Sequence, residues 1–286
     1  MNSAAAAFQP LTSRIIKTAL STKVLGRMLH VLDETPSTNS LAADLAQQGA
    51  PHGTVVVAEA QSAGRGRLGR RWHSPHGKNL YCSIILRPLS PPDQLPSLLS
   101  WIPLISAIAA ARTIQAIAAL RPSLKWPNDV LIGSRKIAGL LCESSGAGTA
   151  TPFIVVGVGL NVNTRADTFP EEIRNLATSL VIETGRPFDR TAVLATLLSE
   201  LEIRYDMLVA GGLPDLIDEY RMRCSTIGQR VRVSLAGEET VEGLAESINP
   251  DGSLRIKPER PQDRSQGRSW LDVRAGDVVH LRRSQP

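Results

Sequence analysis

The 286-residue chain is predicted to be α+β, with a larger mixed domain followed by a small β domain. Three observations predict this. Strand-like apolar runs at Gly53–Ala60, Leu80–Leu86 and Phe153–Asn163 occur in the same stretch of chain as long helical patterns at Ser97–Leu120, Thr191–Val209 and Leu213–Arg223. Lys136–Glu143 reads as the return strand of a hairpin from Leu124–Ile132 around a Gly133-Ser134 turn. From about Gly228 the texture changes to short alternating runs carrying Val231, Val233, Val241, Leu254, Ile256, Leu271 and Val273, separated by turn residues such as Asn249-Pro250-Asp251-Gly252. That is the pattern of a small antiparallel, barrel-like unit of about 60 residues.

In chain order, residues 1–23 read as a flexible, weakly basic tail. Val24–Leu32 is apolar enough for a first strand. Ser37-Thr38-Asn39 then suits a helix start, with Leu41 and Leu45 on one face and Gly49 at the end. Ser-Thr-Asn has two readings, a helix cap or a set of hydroxyls and an amide that holds a polar ligand. The strand-like run to Ala60 leads into Gln61-Ser62-Ala63-Gly64-Arg65-Gly66-Arg67-Leu68-Gly69-Arg70-Arg71-Trp72. Glycine lets backbone approach an anion closely, and arginine offers a planar fork to its oxygens. Pro88–Pro96 is a turn segment, and Pro258–Arg268 reads as an exposed hairpin loop. Gly157 and Gly159 fall on one side of their strand by its period of two, which clears a slot against the backbone.

Composition narrows the chemistry. The net charge of +5 fits an anionic ligand or nucleic acid and decides neither. Cys82, Cys142 and Cys224 are widely spaced and read as reduced thiols of a cytoplasmic protein. No apolar run is expected to be long enough to span a bilayer. The phosphate-loop and dinucleotide fingerprints are missing, as is the hydrolase elbow. His73 and His76 lack the partners of a zinc site. Asp129 fits either an Asx turn or a magnesium contact. Aromatic residues make up only 4% of the chain and none interleaves with the arginines, which counts against a nucleic-acid-binding module. A buried pocket for phosphoryl or adenylyl chemistry fits better, because cations there neutralise charge on a transferring phosphate.

Five motifs stand in order: Ser37-Thr38-Asn39; Gln61 with Gly64 to Trp72; Lys125-Trp126-Pro127-Asn128-Asp129; Arg135-Lys136 with Ala138-Gly139; and Gly157-Val158-Gly159-Leu160-Asn161. Together they closely resemble the bacterial biotin–protein ligases, over about Val24 to the C-terminus. The resemblance implies a class II synthetase-like, lipoate-ligase-like catalytic domain over residues 24–224 and an SH3-like domain over 225–286. It implies that ATP and biotin are substrates, that Mg2+ binds mainly through ATP phosphates, and that the biotin carboxyl carrier protein of acetyl-CoA carboxylase is the partner. Lys136 and Arg67 would be catalytic. Biotin would meet Ser37, Thr38, Asn39, Gln61, Gly64, Arg65, Gly66, Arg67, Trp72, Lys136, Gly139, Leu141, Gly157 and Gly159. ATP would meet Arg65, Arg67, Arg70, Lys125, Asn128, Asp129 and Asn161. The few residues before the first motif imply a ligase without the winged-helix repressor domain of bifunctional members, with neither DNA nor membrane as partner and a monomer or weak homodimer as the assembly. A lipoate ligase shares the expected fold and is the nearest alternative.

Overall fold

The computed structural model describes residues 9–88, 95–145, 152–234, 240–259, 269–274 and 276–281. Helix α1 (Ser13–Ala19) precedes strand β1 (Leu29–Thr35), helix α2 (Thr38–Gln47) and strands β2 (Val55–Gln61) and β3 (Leu80–Leu86). The 24-residue helix α3 (Leu95–Ala118) follows, then β4 (Ser123–Lys125), β5 (Asp129–Ile132), β6 (Arg135–Ser145) and β7 (Phe153–Leu160). Helices α4 (Glu171–Arg174), α5 (Leu180–Thr184), α6 (Arg190–Val209) and α7 (Leu213–Arg223) complete the first domain. The second contains β8 (Arg230–Ser234), β9 (Thr240–Ile248), β10 (Leu254–Pro258), β11 (Leu271–Val273) and β12 (Asp277–His280).

The first seven strands form one mixed sheet in the order β1-β2-β3-β7-β6-β5-β4. β1 and β2 are parallel, joined through α2, and the other pairs are antiparallel. One face packs on α3, α6 and α7, where Trp101, Ile105, Ile108, Leu197, Leu201 and Tyr220 are buried with Val57, Ile84 and Val156. A smaller cluster under α2 buries Ala42 and Ala46 against Val56, Ile85 and Val155. The SH3-like C-terminal sheet is antiparallel in the order β11-β10-β9-β8-β12. Two tryptophans seat it. Trp101 Nε1 donates to Pro250 O at 2.7 Å, and Trp126 Nε1 donates to Gly252 O at 3.1 Å.

Four expectations change. The first strand begins at Leu29, not Val24, because Gly26 turns the chain at φ 82° and Glu202 takes the backbone N–H groups of Lys23, Val24 and Leu25. The segment expected to be a flexible tail contains α1 from Ser13. Ile16 is fully buried, Leu11 N donates to Glu59 Oε1 at 2.6 Å, and Arg190 Nη2 donates to Gln9 O at 2.9 Å. Helix α3 does carry a stretch, Leu98–Ala118, long and apolar enough to cross a bilayer, yet 67% of its most apolar window is buried inside the protein, as in a core helix. The loop expected at Pro258–Arg268 has its first residues in and after β10, while 260–268 lie outside the described residues.

Candidate active site between α2, the arginine loop and β6–β7

One end of the site begins at the α2 N-terminus. Ser37 occupies the cap position but makes no capping side-chain bond. Gln61, at the end of β2, does that work: its Oε1 accepts from Thr38 N at 2.9 Å and from Thr38 Oγ1 at 3.1 Å. Gln61 Nε2 donates to Ser74 Oγ at 3.0 Å. Beneath them Ser83 Oγ lies 2.8 Å from Thr38 Oγ1 and 2.6 Å from Asn39 Oδ1. Ser37, Thr38 and Asn39 are each 4% exposed. Buried polar groups are tolerated when hydrogen-bonded, so this network fixes a set of donors and acceptors at one end of a cavity.

β6 and β7 pair Gly139 with Gly159 and Leu141 with Gly157. Sequence reasoning assigned the resulting slot to a ligand; in this structure side chains of the protein itself fill it. A Cβ on Gly157 would fall 2.1 Å from Asn39 Oδ1, and one on Gly159 would fall 2.4 Å from Trp72 Cε2. The glycines therefore let Asn39 and Trp72 lie flat on the sheet. Lys136 Nζ sits 5.3 Å from the centre of a Trp72 ring and pairs with Asp129 Oδ1 at 2.6 Å. Trp72 Nε1 is buried without a hydrogen-bond partner, as is His73 Nε2. Burial lowers the His73 pKa, so that ring favours its neutral form.

The arginine loop folds back on itself. Gly66 N donates to Arg70 O at 2.7 Å and Trp72 N donates to Gly64 O at 2.9 Å. At its tip Leu68 has φ 54° and is 70% exposed, an uncommon conformation for a non-glycine residue. Arg65 Nη2 pairs with Glu143 Oε2 at 2.7 Å, and Arg67 Nη1 donates to Asn128 Oδ1 at 3.2 Å.

One cavity collects most of the expected residues. Ser37, Thr38, Asn39 and Gln61 line one end, Arg65, Gly66, Arg67 and Asn128 the other. Trp72, Lys136, Gly139, Leu141, Gly157 and Gly159 form its sides. Its volume is about 50 Å³, against roughly 300–1,000 Å³ for ligand pockets, so the site stands contracted around its own side chains. Gly64 and Arg70 line a second cavity of about 480 Å³ on the outer side of the loop, with Cys142 and Glu143.

Three expected ATP contacts do not line this cavity. Asp129 is engaged by Lys136. Lys125 lies near the C-terminal sheet, where its charge opposes protonation of His280. Asn161 is buried, with Nδ2 donating to Thr178 O at 2.9 Å and Oδ1 accepting from Asn79 Nδ2 at 3.3 Å. It braces the chain after β7 and does not reach the cavity. Sequence reasoning missed Ser83 and Glu143, because an isolated serine or glutamate on a strand carries no local signal.

Residues 31–161 match the biotin/lipoate A/B protein ligase family and residues 226–281 match the biotin protein ligase C-terminal domain. A biotin–[acetyl-CoA-carboxylase] ligase of Mycobacterium tuberculosis is 38% identical over 278 residues, 96% of this chain and 97% of that protein. The chain belongs to the biotin protein ligase family. The bifunctional ligase/repressor BirA of Bacillus spizizenii is 36% identical over 248 residues, 86% of this chain and 74% of that protein. Among solved structures, the biotin protein ligase from Aquifex aeolicus in complex with biotin and ATP superposes with a TM-score of 0.73 at 29% identity, over 90% of this chain and 99% of that one.

Proposed function

We propose that the protein activates biotin with ATP to biotinyl-5′-AMP and then transfers biotin to a lysine of the biotin carboxyl carrier protein of acetyl-CoA carboxylase. The observation that carries this is convergence. A hydrogen-bonding end, a flat tryptophan-on-glycine side and a cationic end with Lys136, Arg65 and Arg67 meet in one cavity. That order suits a ligand with a polar ring, an apolar chain and a carboxylate. Residues 24–224 are the catalytic unit in this proposal, and 225–286 the unit that buttresses it.

In the first step a carboxylate oxygen of biotin attacks the α-phosphorus of ATP, and the bond to pyrophosphate breaks. Ser37, Thr38 and Gln61 hold the ureido ring, with Asn39 beside it. Gly64, Gly66 and Trp72 close over the chain with Gly139, Leu141, Gly157 and Gly159 behind it. Arg67 and Lys136 face the charge that builds on the phosphate, and preorganised cations in a water-poor site stabilise such charge strongly. Lys136 must exchange Asp129 for this task, and Asp129 keeps it aligned until then. Asn128 orients Arg67, and Arg70 meets the outgoing phosphates. In the second step a carrier lysine, having lost a proton, attacks the acyl carbon and AMP leaves.

Magnesium enters this proposal with the nucleotide. Among the described residues no three His, Cys, Asp or Glu gather into a group. Magnesium commonly takes one or two carboxylates plus phosphate oxygens, a donor set that Asp129 and ATP together fit. The three free thiols suit a cytoplasmic setting.

The test is ATP–pyrophosphate exchange with biotin or lipoate as the acid. Biotin-dependent exchange is expected. Exchange with lipoate alone would assign the other acid, and exchange with neither would remove the adenylation reading.

A further inference from the structure

One carboxylate that sequence reasoning passed over sits where the two halves of the site meet. Glu143, on β6, accepts through the same oxygen, Oε2, from Asn39 Nδ2 at 2.8 Å and from Arg65 Nη2 at 2.7 Å. The Asn39 side is fixed. Its amide spends its second donor on Leu141 O at 3.0 Å, and its oxygen accepts from buried Ser83 at 2.6 Å. The Arg65 side belongs to the loop, which is held by polar contacts and whose tip residue Leu68 is exposed. Glu143 thus joins a rigid wall to a loop that is anchored at its end by Trp72 but exposed at Arg65 and from Leu68 to Arg71.

We infer that Glu143 is a positioning residue that latches the arginine loop to β6 through Arg65, and so sets how long an acyl-adenylate stays in the site. This role presupposes the adenylate-forming reaction proposed above. It also divides the labour of the arginines. With its guanidinium committed to Glu143, Arg65 contributes loop backbone and closure, while Arg67 contributes charge to the phosphate. The pair is partly exposed, with side chains 44% and 38% accessible, so its effect is modest and screened by salt.

The experiment measures release of preformed biotinyl-5′-AMP from the full chain by chase, together with the KM for biotin. Glu143→Gln keeps an acceptor for Asn39 and loses the charge that holds Arg65. Release about two- to five-fold faster, with an unchanged biotin KM, is expected. Glu143→Ala removes the Asn39 acceptor as well and should raise both release and KM. Arg65→Ala should match Glu143→Gln in release, and the Glu143→Gln/Arg65→Ala double variant should release no faster than either single. Unchanged release in Glu143→Gln, or a double variant whose effect is the product of the two singles, would overturn the latch. Wild-type protein that forms no adenylate would sink the adenylation proposal itself, a result distinct from either of these.

Discussion

Lys136 is the side chain on which the proposed chemistry leans most. It lies between a carboxylate at 2.6 Å and an indole face, which holds its ammonium ready but not committed to solvent. Lys136→Ala is expected to slow biotin-dependent pyrophosphate exchange by roughly 10²–10³, the scale of a lost electrostatic stabiliser. Its melting temperature should change little, since the side chain is one-third exposed. The glycines make a sharper steric prediction. Gly159→Ala would press a methyl into the Trp72 ring and Gly157→Ala would press one into Asn39. Both should raise the KM for biotin, and Gly159→Ala should also shift tryptophan fluorescence. Both glycines were visible in the sequence as a period-two pair. Their tenants were not, because only the fold brings residues 39 and 72 over residues 157 and 159.

At the scale of elements, the loop and α1 carry the tests. Inside the loop Gly64 is the tight position, 2.7 Å from Trp72 O for an added Cβ, while the nearest atom to one on Gly66 is Arg70 O at 3.3 Å. Gly64→Ala should therefore impair exchange more than Gly66→Ala, and equal losses would contradict that packing. Helix α1 is tied down through the buried pair Arg190–Glu59, each side chain 4% exposed. Removing one partner of such a pair leaves an uncompensated buried charge. Arg190→Ala should cost about 3–5 kcal/mol in urea unfolding. The elements with strong local patterns, α2, β3, α6, α7 and the β5–β6 hairpin, were legible from residues alone. Helix α1 was not: its seven residues have weak internal pattern, and its stability comes from Glu59 and Arg190, distant in the chain. The arginine loop stood out in the sequence by its glycines and arginines, but its attachment through Glu143, 78 residues beyond Arg65, had no local trace.

The whole molecule responds to pH through its half-buried imidazoles. Burial lowers the pKa of His52, His73 and His280 below 6.5, and for His280 the Lys125 charge adds to the effect. The unfolded chain then binds more protons than the folded one between those lowered values and 6.5. Stability is thus fully present above pH 6.5 and declines as pH falls through the folded values. Thermal melts at pH 7.5 and 5.5 should show the lower midpoint in acid. The two domains are joined by Trp126, 2% exposed, whose backbone N–H donates to Thr226 Oγ1 at 3.0 Å and whose indole donates to Gly252 O. Trp126→Ala should destabilise the chain by about 3–5 kcal/mol. Two residues beyond it, Asn128 holds Arg67. A genetic screen for weakened ATP handling should therefore recover lesions in the Asn249–Gly252 turn, inherited by the active site through Trp126 and Asn128 rather than by touch.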